Sequence, residues 1–416
     1  MKRGTWLLSE KINAKSVKYK RFWFSPLFLI VFTVFVDAIG YGMVFPLLAF
    51  YAKTFQAGAL EIGILIASFP LMSFIFAPIL GRISDRVGRK PILAISILTS
   101  TAGFALFAVA NSYWILLLSR MIAGTATERA VASAYIADIT TKEKRASGMG
   151  KLGATFGAGL IVGPALTGLL SLYGYSMIGY VAISITFVNL LFVWLFLPES
   201  LNKDTRHSYL SLKSSPSYFT RIKVSFGKPL IQNLFIISFL FVLASSALPV
   251  VLPLIGQSLY EFGSVEISYF FMYIGLIHIV MQGVVIDLLP ENFREEKLIS
   301  VVLLIKAFGM FFIPFSPNIA FFVLFITINS GGYGLTNTFI ASLFSKNTSQ
   351  KEQGSVMGIV QSVDSLARIL GPIIAGFLFE YAGIATPFLV SAILLVFAST
   401  IGYRTFHRMR NQKKGN

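Results

Sequence analysis

The chain of 416 residues is 55% hydrophobic and only 13% charged, with a mean hydropathy of +0.75, which excludes an ordinary soluble domain. Its charge is one-sided: 35 Lys and Arg against 18 Asp and Glu give a formal net charge of +17, a balance that by itself suggests nucleic-acid binding. The absence of cysteine excludes disulfides, thiolate metal sites and cysteine nucleophiles, and the three histidines are too far apart in sequence to predict a metal site.

The first part of the chain, residues 1–23, is a basic segment that precedes a long apolar run. This run is longer than the apolar region of a signal peptide, and it lacks a small-residue cleavage site. We therefore predict that residues 1–23 form a cytoplasmic segment that is retained in the mature protein.

Twelve largely apolar stretches follow, each near or above the ~20 residues that an α-helix needs to cross a bilayer. None shows the period-two alternation that is typical of membrane β-barrel strands. We predict an all-α integral membrane protein with twelve transmembrane helices. The predicted spans are residues 24–50, 58–80, 91–110, 113–137, 147–172, 175–197, 230–256, 264–287, 298–316, 319–343, 354–379 and 384–403.

These spans explain where the positive charge lies. If the chain starts inside the cell, 30 of the 35 Lys and Arg fall in cytoplasmic segments or at the cytoplasmic ends of spans, four fall deep inside spans, and Lys53 alone remains for the external loops. A distribution this one-sided follows the positive-inside rule and predicts that both termini are cytoplasmic. The excess charge therefore indicates topology, and nucleic acid is not an expected partner.

Related patterns recur in the two halves of the chain. Gly81 and Asp85 precede Gly283 and Asp287 by 202 residues. A second set recurs after 208 residues: Gly150, Gly163, Pro164 and Gly168 against Gly358, Gly371, Pro372 and Gly376. Such a repeat predicts a duplicated six-helix unit with a substrate site between the halves. We expect bundles at 24–198 and 230–403, a cytoplasmic linker at 199–229 and a basic cytoplasmic tail at 404–416.

Charged residues within the predicted spans are candidates for a functional site, because a charge at bilayer depth costs about 2.5–3.5 kcal/mol on insertion scales. Those that lie away from the ends of the spans are Asp37, Arg120, Glu128, Arg129, Lys306, Asp364 and Arg368. A carboxyl group in a low-dielectric cavity can bind and release a proton near neutral pH, and a nearby guanidinium, which stays charged, tunes that exchange. We therefore predict functional roles for Asp37 and Arg120, whereas Lys306 has no evident partner.

The spacing of these charges suggests two pairings. Arg120, Gly124 and Glu128 are four residues apart, which places them on one face of a continuous helix. Glu128 is either a second protonatable group or a local counter-charge for Arg129. Asp364 and Arg368, also four residues apart, are expected to pair with each other in a structural or gating role.

The segment at residues 81–90, GRISDRVGRK, joins the second and third predicted spans. Its glycines, Gly81 and Gly88, permit a tight turn, and its cations anchor the turn at an anionic leaflet. With Asp85 four residues after Gly81, and with Arg86 and Arg89 beyond it, the segment resembles the signature loop of the major facilitator superfamily.

Two further segments refine this resemblance. The fifth span, with Gly159, Gly163 and Pro164, resembles the motif of the antiporter branch, and its small residues permit close helix packing. Thr167 departs from this motif, in which glycine is usual. The first span around Asp37 and the end of the fourth span resemble those of tetracycline and multidrug proton antiporters.

The resemblance implies the major facilitator fold and a proton-coupled antiporter that exports drug-like or amphipathic small molecules by alternating access. It implies a monomer in the plasma membrane that uses the proton gradient and no cofactor; its partners are the small-molecule substrate, protons and the lipid bilayer. Proton coupling is assigned to Asp37, Arg120 and Glu128. Substrate-cavity candidates are Tyr41, Gly124, Asn329 and Asn337, and gating candidates are Gly81, Asp85, Arg86, Gly88, Arg89, Gly159, Gly163, Pro164, Asp364 and Arg368.

Two alternatives stay open. One is a metabolite or sugar carrier of the same fold that works as a symporter or facilitator. The other is a non-transporting membrane receptor or a membrane enzyme. An enzyme predicts clustered catalytic residues at a membrane face, and the sequence contains no metal-ligand spacing, nucleophile motif or phosphate-binding loop. We therefore expect neither a catalytic nor a metal site.

Overall fold

The computed structural model describes residues 25–201, 229–288, 295–349 and 352–414, and the regular secondary structure of these residues is entirely helical. The predicted basic segment at 1–23 and most of the predicted linker at 199–229 lie outside the described residues. The predicted tail is helical where it is described, because the last helix continues to Lys414.

The first half of the chain forms helices α1 to α8. Their bounds are α1 Pro26–Val44, α2 Leu48–Thr54, α3 Ala59–Val87, α4 Arg89–Ala108, α5 Tyr113–Thr125, α6 Glu128–Ile139, α7 Lys142–Leu170 and α8 Tyr175–Phe196. A 3₁₀ turn at Phe45–Leu47 joins α1 to α2.

The second half forms helices α9 to α15. Their bounds are α9 Pro229–Ser245, α10 Leu248–Tyr260, α11 Ser264–Val280, α12 Glu295–Phe312, α13 Ile319–Lys346, α14 Gln353–Tyr381 and α15 Thr386–Lys414. A π-helical turn at Met281–Val285 extends α11.

Within the described residues, eleven helices are long and apolar enough to cross a membrane, and they coincide with eleven of the twelve predicted spans. The remaining predicted span, residues 113–137, is divided into α5 and α6, which contain 13 and 12 residues. The extended backbone of Ala126 separates them, with ψ of 129°. The prediction of a continuous helix there is wrong.

Small residues bring α1 and α7 into close contact. A Cβ atom on Gly163 would lie 2.6 Å from the Gly42 backbone, and one on Gly159 would lie 2.5 Å from the Ala38 side chain. The Thr167 hydroxyl donates to the Met43 carbonyl at 2.6 Å, so the residue that departs from the antiporter motif adds a hydrogen bond between the helices. Such packing replaces the hydrophobic driving force that is absent between helices in lipid.

The second half repeats this packing. A Cβ atom on Gly371 of α14 would lie 2.7 Å from the Leu243 carbonyl oxygen of α9, as Gly163 of α7 contacts Gly42 of α1. Between α4 and α5, Gly103 approaches the Ser119 carbonyl, and 206 residues later Gly309 approaches the Phe325 carbonyl between α12 and α13.

Hydrogen bonds at helix ends also recur. The Tyr51 hydroxyl donates to the Ala110 carbonyl in the first half, and the Tyr260 hydroxyl donates to the Ser316 carbonyl in the second. The two halves are thus built from the same helix contacts, in the same order along the chain.

The two halves touch at one end of the molecule, where the chain turns at residues 55–58, 171–174, 261–263 and 382–385; we call this the closed end. Helix α3 meets α14 there: a Cβ atom on Gly376 would lie 2.2 Å from the Ala59 carbonyl oxygen, and one on Gly63 would lie 2.3 Å from that of Pro372. The Leu60 amide donates to Glu380 of the other half at 2.8 Å.

At the opposite end, which we call the open end, the described residues do not make these contacts. The same helices, α3, α7, α11 and α14, carry glycines there with no atom within 4 Å of a Cβ position: Gly81, Gly150, Gly283 and Gly358. The described helices thus touch at the closed end and leave open space at the other end; we call the space between the two halves the central cavity.

The segment that resembles the superfamily loop lies at this open end, and most of it is helical. Helix α3 continues through Val87, so Gly81, Asp85 and the exposed Arg86 are helical residues, and the expectation of a turn at Gly81 is wrong. The whole turn is Gly88, whose φ of 125° and ψ of 156° lie in a region that is essentially restricted to glycine.

Arg89, the first residue after this turn, is buried and binds two helices. Its guanidinium contacts Asp85 of α3 at 2.6 Å and Asp138 of α6 at 3.0 Å. Glu199, placed by sequence in the linker, instead accepts from the backbone amides of Arg89 and Lys90 at the start of α4. The carboxylate satisfies free N–H groups at a helix N-terminus, where negative charge is favoured.

Substitution of Gly88 should therefore destabilise the protein. A Cβ atom forces the residue at this φ and ψ into strain of about 1–3 kcal/mol, so Gly88→Ala should lower the thermal unfolding temperature of the purified protein. Gly81→Ala is the matched control, since Gly81 is helical with open space around it, and alanine is favoured there by roughly 0.5–1 kcal/mol. Equal unfolding temperatures of the two variants would contradict this interpretation.

Substitution of Gly376 should weaken the closed end. The Cβ atom of Gly376→Ala cannot fit beside the Ala59 carbonyl without a shift that costs about 1–3 kcal/mol. Because the chain has no cysteine, a single Ala57→Cys reporter at the closed end can be followed by maleimide labelling without background. We expect at least fivefold faster labelling with Gly376→Ala, and no change with Gly358→Ala on the same helix; identical rates would exclude this contact as the constraint.

Candidate functional site

The central cavity contains charged side chains from both halves. Asp37 lies on α1, half-buried, within electrostatic range of Glu128 and Arg129 of α6. Tyr41, one turn further along α1, is within electrostatic range of both Arg120 and Arg368. The structure thus brings the predicted proton-coupling residues of α1 and α6 together.

The break between α5 and α6 changes the predicted geometry of the fourth span. Arg120 and Gly124 belong to α5, whereas Glu128 is the first residue of α6, so the three do not share one continuous helical face. Glycine and threonine near the break favour it, because glycine disfavours helix and the Thr125 hydroxyl bonds instead to the Ile122 carbonyl.

Glu128 is buried, and its Oε1 accepts a hydrogen bond from the Ser100 hydroxyl of α4 at 2.8 Å. Its position in the first turn of α6 also places the carboxyl group at the positive end of a helix dipole. Glu128 and Arg129 form no ion pair; Arg129 is exposed to the cavity and stacks on Phe156 at 4.5 Å from the ring centroid. Of the two roles left open for Glu128, the structure therefore does not show the local ion pair with Arg129.

Arg120 is 2% exposed, and its Nε and Nη2 atoms have no hydrogen-bond partner among the described residues. The guanidinium lies 5.8 Å from the ring centroids of both Phe104 and Phe107. Cation–π contacts offset only part of the cost of burying this charge. Arg120 is consequently a buried cation that lacks a direct counter-ion.

Gly124, a predicted cavity residue, serves helix packing. A Cβ atom there would lie 2.6 Å from the Phe69 carbonyl oxygen of α3, and the Gly124 carbonyl accepts from the Ser73 hydroxyl at 2.9 Å. The expectation that Gly124 faces substrate is not supported by this contact with backbone.

Asp364 and Arg368 on α14 do not form the expected ion pair. Asp364 accepts instead from the Ser238 hydroxyl of α9 at 2.7 Å, because α9 packs directly against this face of α14. Arg368 is exposed to the cavity and reaches the Tyr333 hydroxyl of α13. Asp364 lines a cavity of about 130 Å³ together with Asn337, which remains a candidate for substrate contact.

Asn329 has a different role from the one predicted. It is buried, and its Oδ1 accepts from the Lys306 ammonium of α12 at 3.3 Å. Lys306, which has no evident partner in the sequence, is 2% exposed and lies 5.5 Å from the Tyr333 ring centroid. Sequence spacing could not pair Lys306 with Asn329, since the two are 23 residues apart on different helices.

The residues predicted from the antiporter motif hold α7 against α1. Gly159, Gly163 and Pro164 of α7 all lie against α1, the helix that carries Asp37 and Tyr41. Two polar residues of this region, Ser100 and Tyr333, were missed by sequence, as was Glu199 at the start of α4. For Ser100, the separation of 206 residues between the halves is a usable signal, because the equivalent position is Lys306.

The chain was compared with known proteins. The family model of the Major Facilitator Superfamily matches residues 30–368 and 291–416. The class E tetracycline resistance protein of Escherichia coli is 30% identical over 354 residues, which cover 83% of this chain and 86% of that protein. Multidrug resistance protein 2 of Bacillus subtilis (strain 168) is 26% identical over 370 residues, covering 88% and 92%.

Solved structures show the same fold. A bacterial homologue of the human lysosomal transporter Spinster, in an inward-facing and occupied conformation, superposes with a TM-score of 0.74 at 14% identity, covering 92% of this chain and 96% of that one. The human organic anion transporter MFSD10 superposes with a TM-score of 0.68 at 22% identity, covering 90% and 98%. The family match, the identities and the paired helix contacts together lead to one conclusion: this chain belongs to the major facilitator superfamily, in the branch that contains the tetracycline and multidrug resistance proteins.

Proposed function

We propose that this protein is a proton-coupled antiporter that exports drug-like or amphipathic small molecules. The observation that carries the proposal is a pair of carboxyl groups, Asp37 and Glu128, within electrostatic range of each other in the central cavity. Relatives that confer tetracycline and multidrug resistance support export as the direction.

The pair can exchange protons because each carboxyl group has a different environment. Glu128 is buried and bonded to Ser100, whereas Asp37 is half-buried and has Arg129 within electrostatic range. When one carboxyl group is ionised, repulsion favours a proton on the other. Arg120 adds a fixed positive charge within electrostatic range of Tyr41, which lies one turn from Asp37 on α1. A proton can therefore be held at mid-membrane depth and released when the environment changes.

Alternating access would follow from the two ends of the molecule. Contacts at Gly63 and Gly376 hold the closed end together, while the open end gives access to the cavity. Rocking of the two bundles would break the first set of contacts and join the bundles at the open end. We propose that the divided α5 and α6 act as the twelfth span, that the protein works as a monomer, and that no cofactor is needed.

We further propose that the open end and both termini face the cytoplasm of a plasma-membrane protein. The strongly one-sided distribution of Lys and Arg supports this orientation. In intact cells, an impermeant maleimide should label Asn111→Cys near the closed end, and should label Ser147→Cys near the open end only after permeabilisation. Reversed labelling would overturn the orientation.

Proton coupling is tested with Asp37→Asn and Glu128→Gln in proteoliposomes that carry an internal pH dye. An outward substrate gradient should drive proton movement in the wild type, and each variant should reduce the initial rate at least tenfold, because the neutral amide cannot exchange a proton. Glu261→Gln, at an exposed position of the closed end, should keep the wild-type rate.

Folding of each variant is checked by size-exclusion chromatography and by the thermal unfolding temperature. If both folded variants retain full proton-driven transport, the assignment of coupling to this pair is wrong. If substrate and protons move in the same direction, the protein is instead a symporter of the same fold.

A further inference from the structure

The charges inside the membrane region are unbalanced. Four cations, Arg120, Arg129, Lys306 and Arg368, accompany three carboxylates. Among the described residues, none of these four cations has a carboxylate oxygen within 4.0 Å. Two of the carboxylates, Glu128 and Asp364, accept instead from serine hydroxyls. The cavity therefore contains cations that form no ion pair with any carboxylate of the described residues.

Two of these cations come from opposite bundles and lie within electrostatic range of each other. Arg129 extends from α6 of the first half and Arg368 from α14 of the second, both exposed to the cavity, and the two guanidinium groups interact electrostatically. Both also interact with Tyr333 of α13. Like charges held close together repel, and an anion between them would convert this repulsion into two attractions.

The guanidinium groups are free to bind such an anion. Arg129 lies over Phe156 at 4.5 Å, and stacking on a ring face leaves the N–H groups at the edge of the guanidinium available. Arg368 forms a hydrogen bond with the Tyr333 hydroxyl, and this hydroxyl can itself donate to an anion. Arg120 is buried, and two of its nitrogens have no hydrogen-bond partner among the described residues. Its positive charge also lies within electrostatic range of Tyr41.

Aromatic rings continue from these cations toward the closed end. Tyr41 packs against Phe69 at 4.9 Å and against Phe45 at 5.5 Å, and Phe45 contacts Phe271 of the second half at 5.4 Å. All four side chains are half-buried, so part of each ring is not covered by the rest of the protein. The cationic region is therefore continuous with a surface that suits a planar apolar body.

We infer that the cavity binds an amphipathic organic anion, whose carboxylate or sulfonate group lies between Arg129 and Arg368 and whose aromatic body lies against the ring cluster of Tyr41. This inference rests on the proposed transport function, because it names the substrate class of the same cavity. One arginine comes from each bundle, so the bound anion favours approach of the two bundles at the open end.

The test uses three naphthalene probes that share one apolar body: 1-naphthaleneacetate, the neutral 1-naphthaleneacetamide and the cationic 1-naphthylmethylammonium. Their dissociation constants are measured by titration calorimetry on the purified full chain in nanodiscs of zwitterionic lipid. We expect the acetate to bind at least tenfold more tightly than the other two. Arg129→Gln and Arg368→Gln should each weaken acetate binding about tenfold and leave acetamide binding within twofold.

Two controls separate a local effect from a general one. Arg404→Gln, at an exposed position near the end of α15, removes one positive charge without touching the cavity and should leave acetate binding unchanged. Arg368→Lys keeps the charge but not the fork of donors, and should recover part of the affinity. Equal affinities for the three probes, or unchanged acetate binding in both glutamine variants, would overturn the inference.

A second set of nanodiscs with anionic phosphatidylglycerol distinguishes the source of the anion. If this lipid displaces the acetate in the wild type, the two arginines bind a lipid headgroup, and an organic anion as cargo is excluded.

The proposed function can fail independently. Proton exchange with neutral or cationic drugs, together with absent acetate binding, would reject the anion and keep the antiporter. Selective acetate binding without any proton movement would reject proton coupling and keep the anion site.

Discussion

Close contact between helix backbones is the interaction on which this structure depends. In lipid, apolar side chains gain nothing by leaving one hydrocarbon environment for another, so helices associate through packing of small residues. Glycines make these contacts within each bundle, as Gly163 does against α1, and between the bundles, as Gly376 does against Ala59. Because the closest backbone contacts between the bundles, at Gly63 and Gly376, lie toward the closed end, the molecule can hold a cavity and remain one compact unit.

Carboxylates inside the membrane region depend on a second interaction, a hydrogen bond from a hydroxyl group. Two of the three carboxylates within the membrane region accept from a serine hydroxyl on a neighbouring helix, Glu128 from Ser100 and Asp364 from Ser238. A hydroxyl satisfies a carboxyl group in either protonation state, whereas an ion pair would hold it ionised. Such partners are compatible with the proposed proton exchange, and they leave the four cations without a carboxylate ligand among the described residues.

The sequence predicts the helical class, eleven spans and the repeat of the two halves, because hydropathy and glycine spacing are properties of neighbouring residues. It does not predict the break after Thr125, since the residues there remain apolar enough for a span. It also gives no partner for Lys306 and the wrong partner for Asp364, because the actual partners, Asn329 and Ser238, lie on other helices. The sequence thus predicts which charged residues lie inside the membrane region. It does not predict their partners, because these depend on how the helices pack.

One pair of equivalent positions has an electrical consequence. Ser100 and Lys306 occupy the same place in the two halves, 206 residues apart, so one bundle carries a neutral hydroxyl where the other carries an amine. A bundle with a protonated lysine at that depth responds to the membrane voltage when it tilts, by up to about 2.3 kcal/mol per 100 mV for full passage of one charge. When Lys306 is protonated, the second bundle carries a positive charge that the first lacks at the equivalent position, so the membrane voltage acts differently on the tilt of the two bundles.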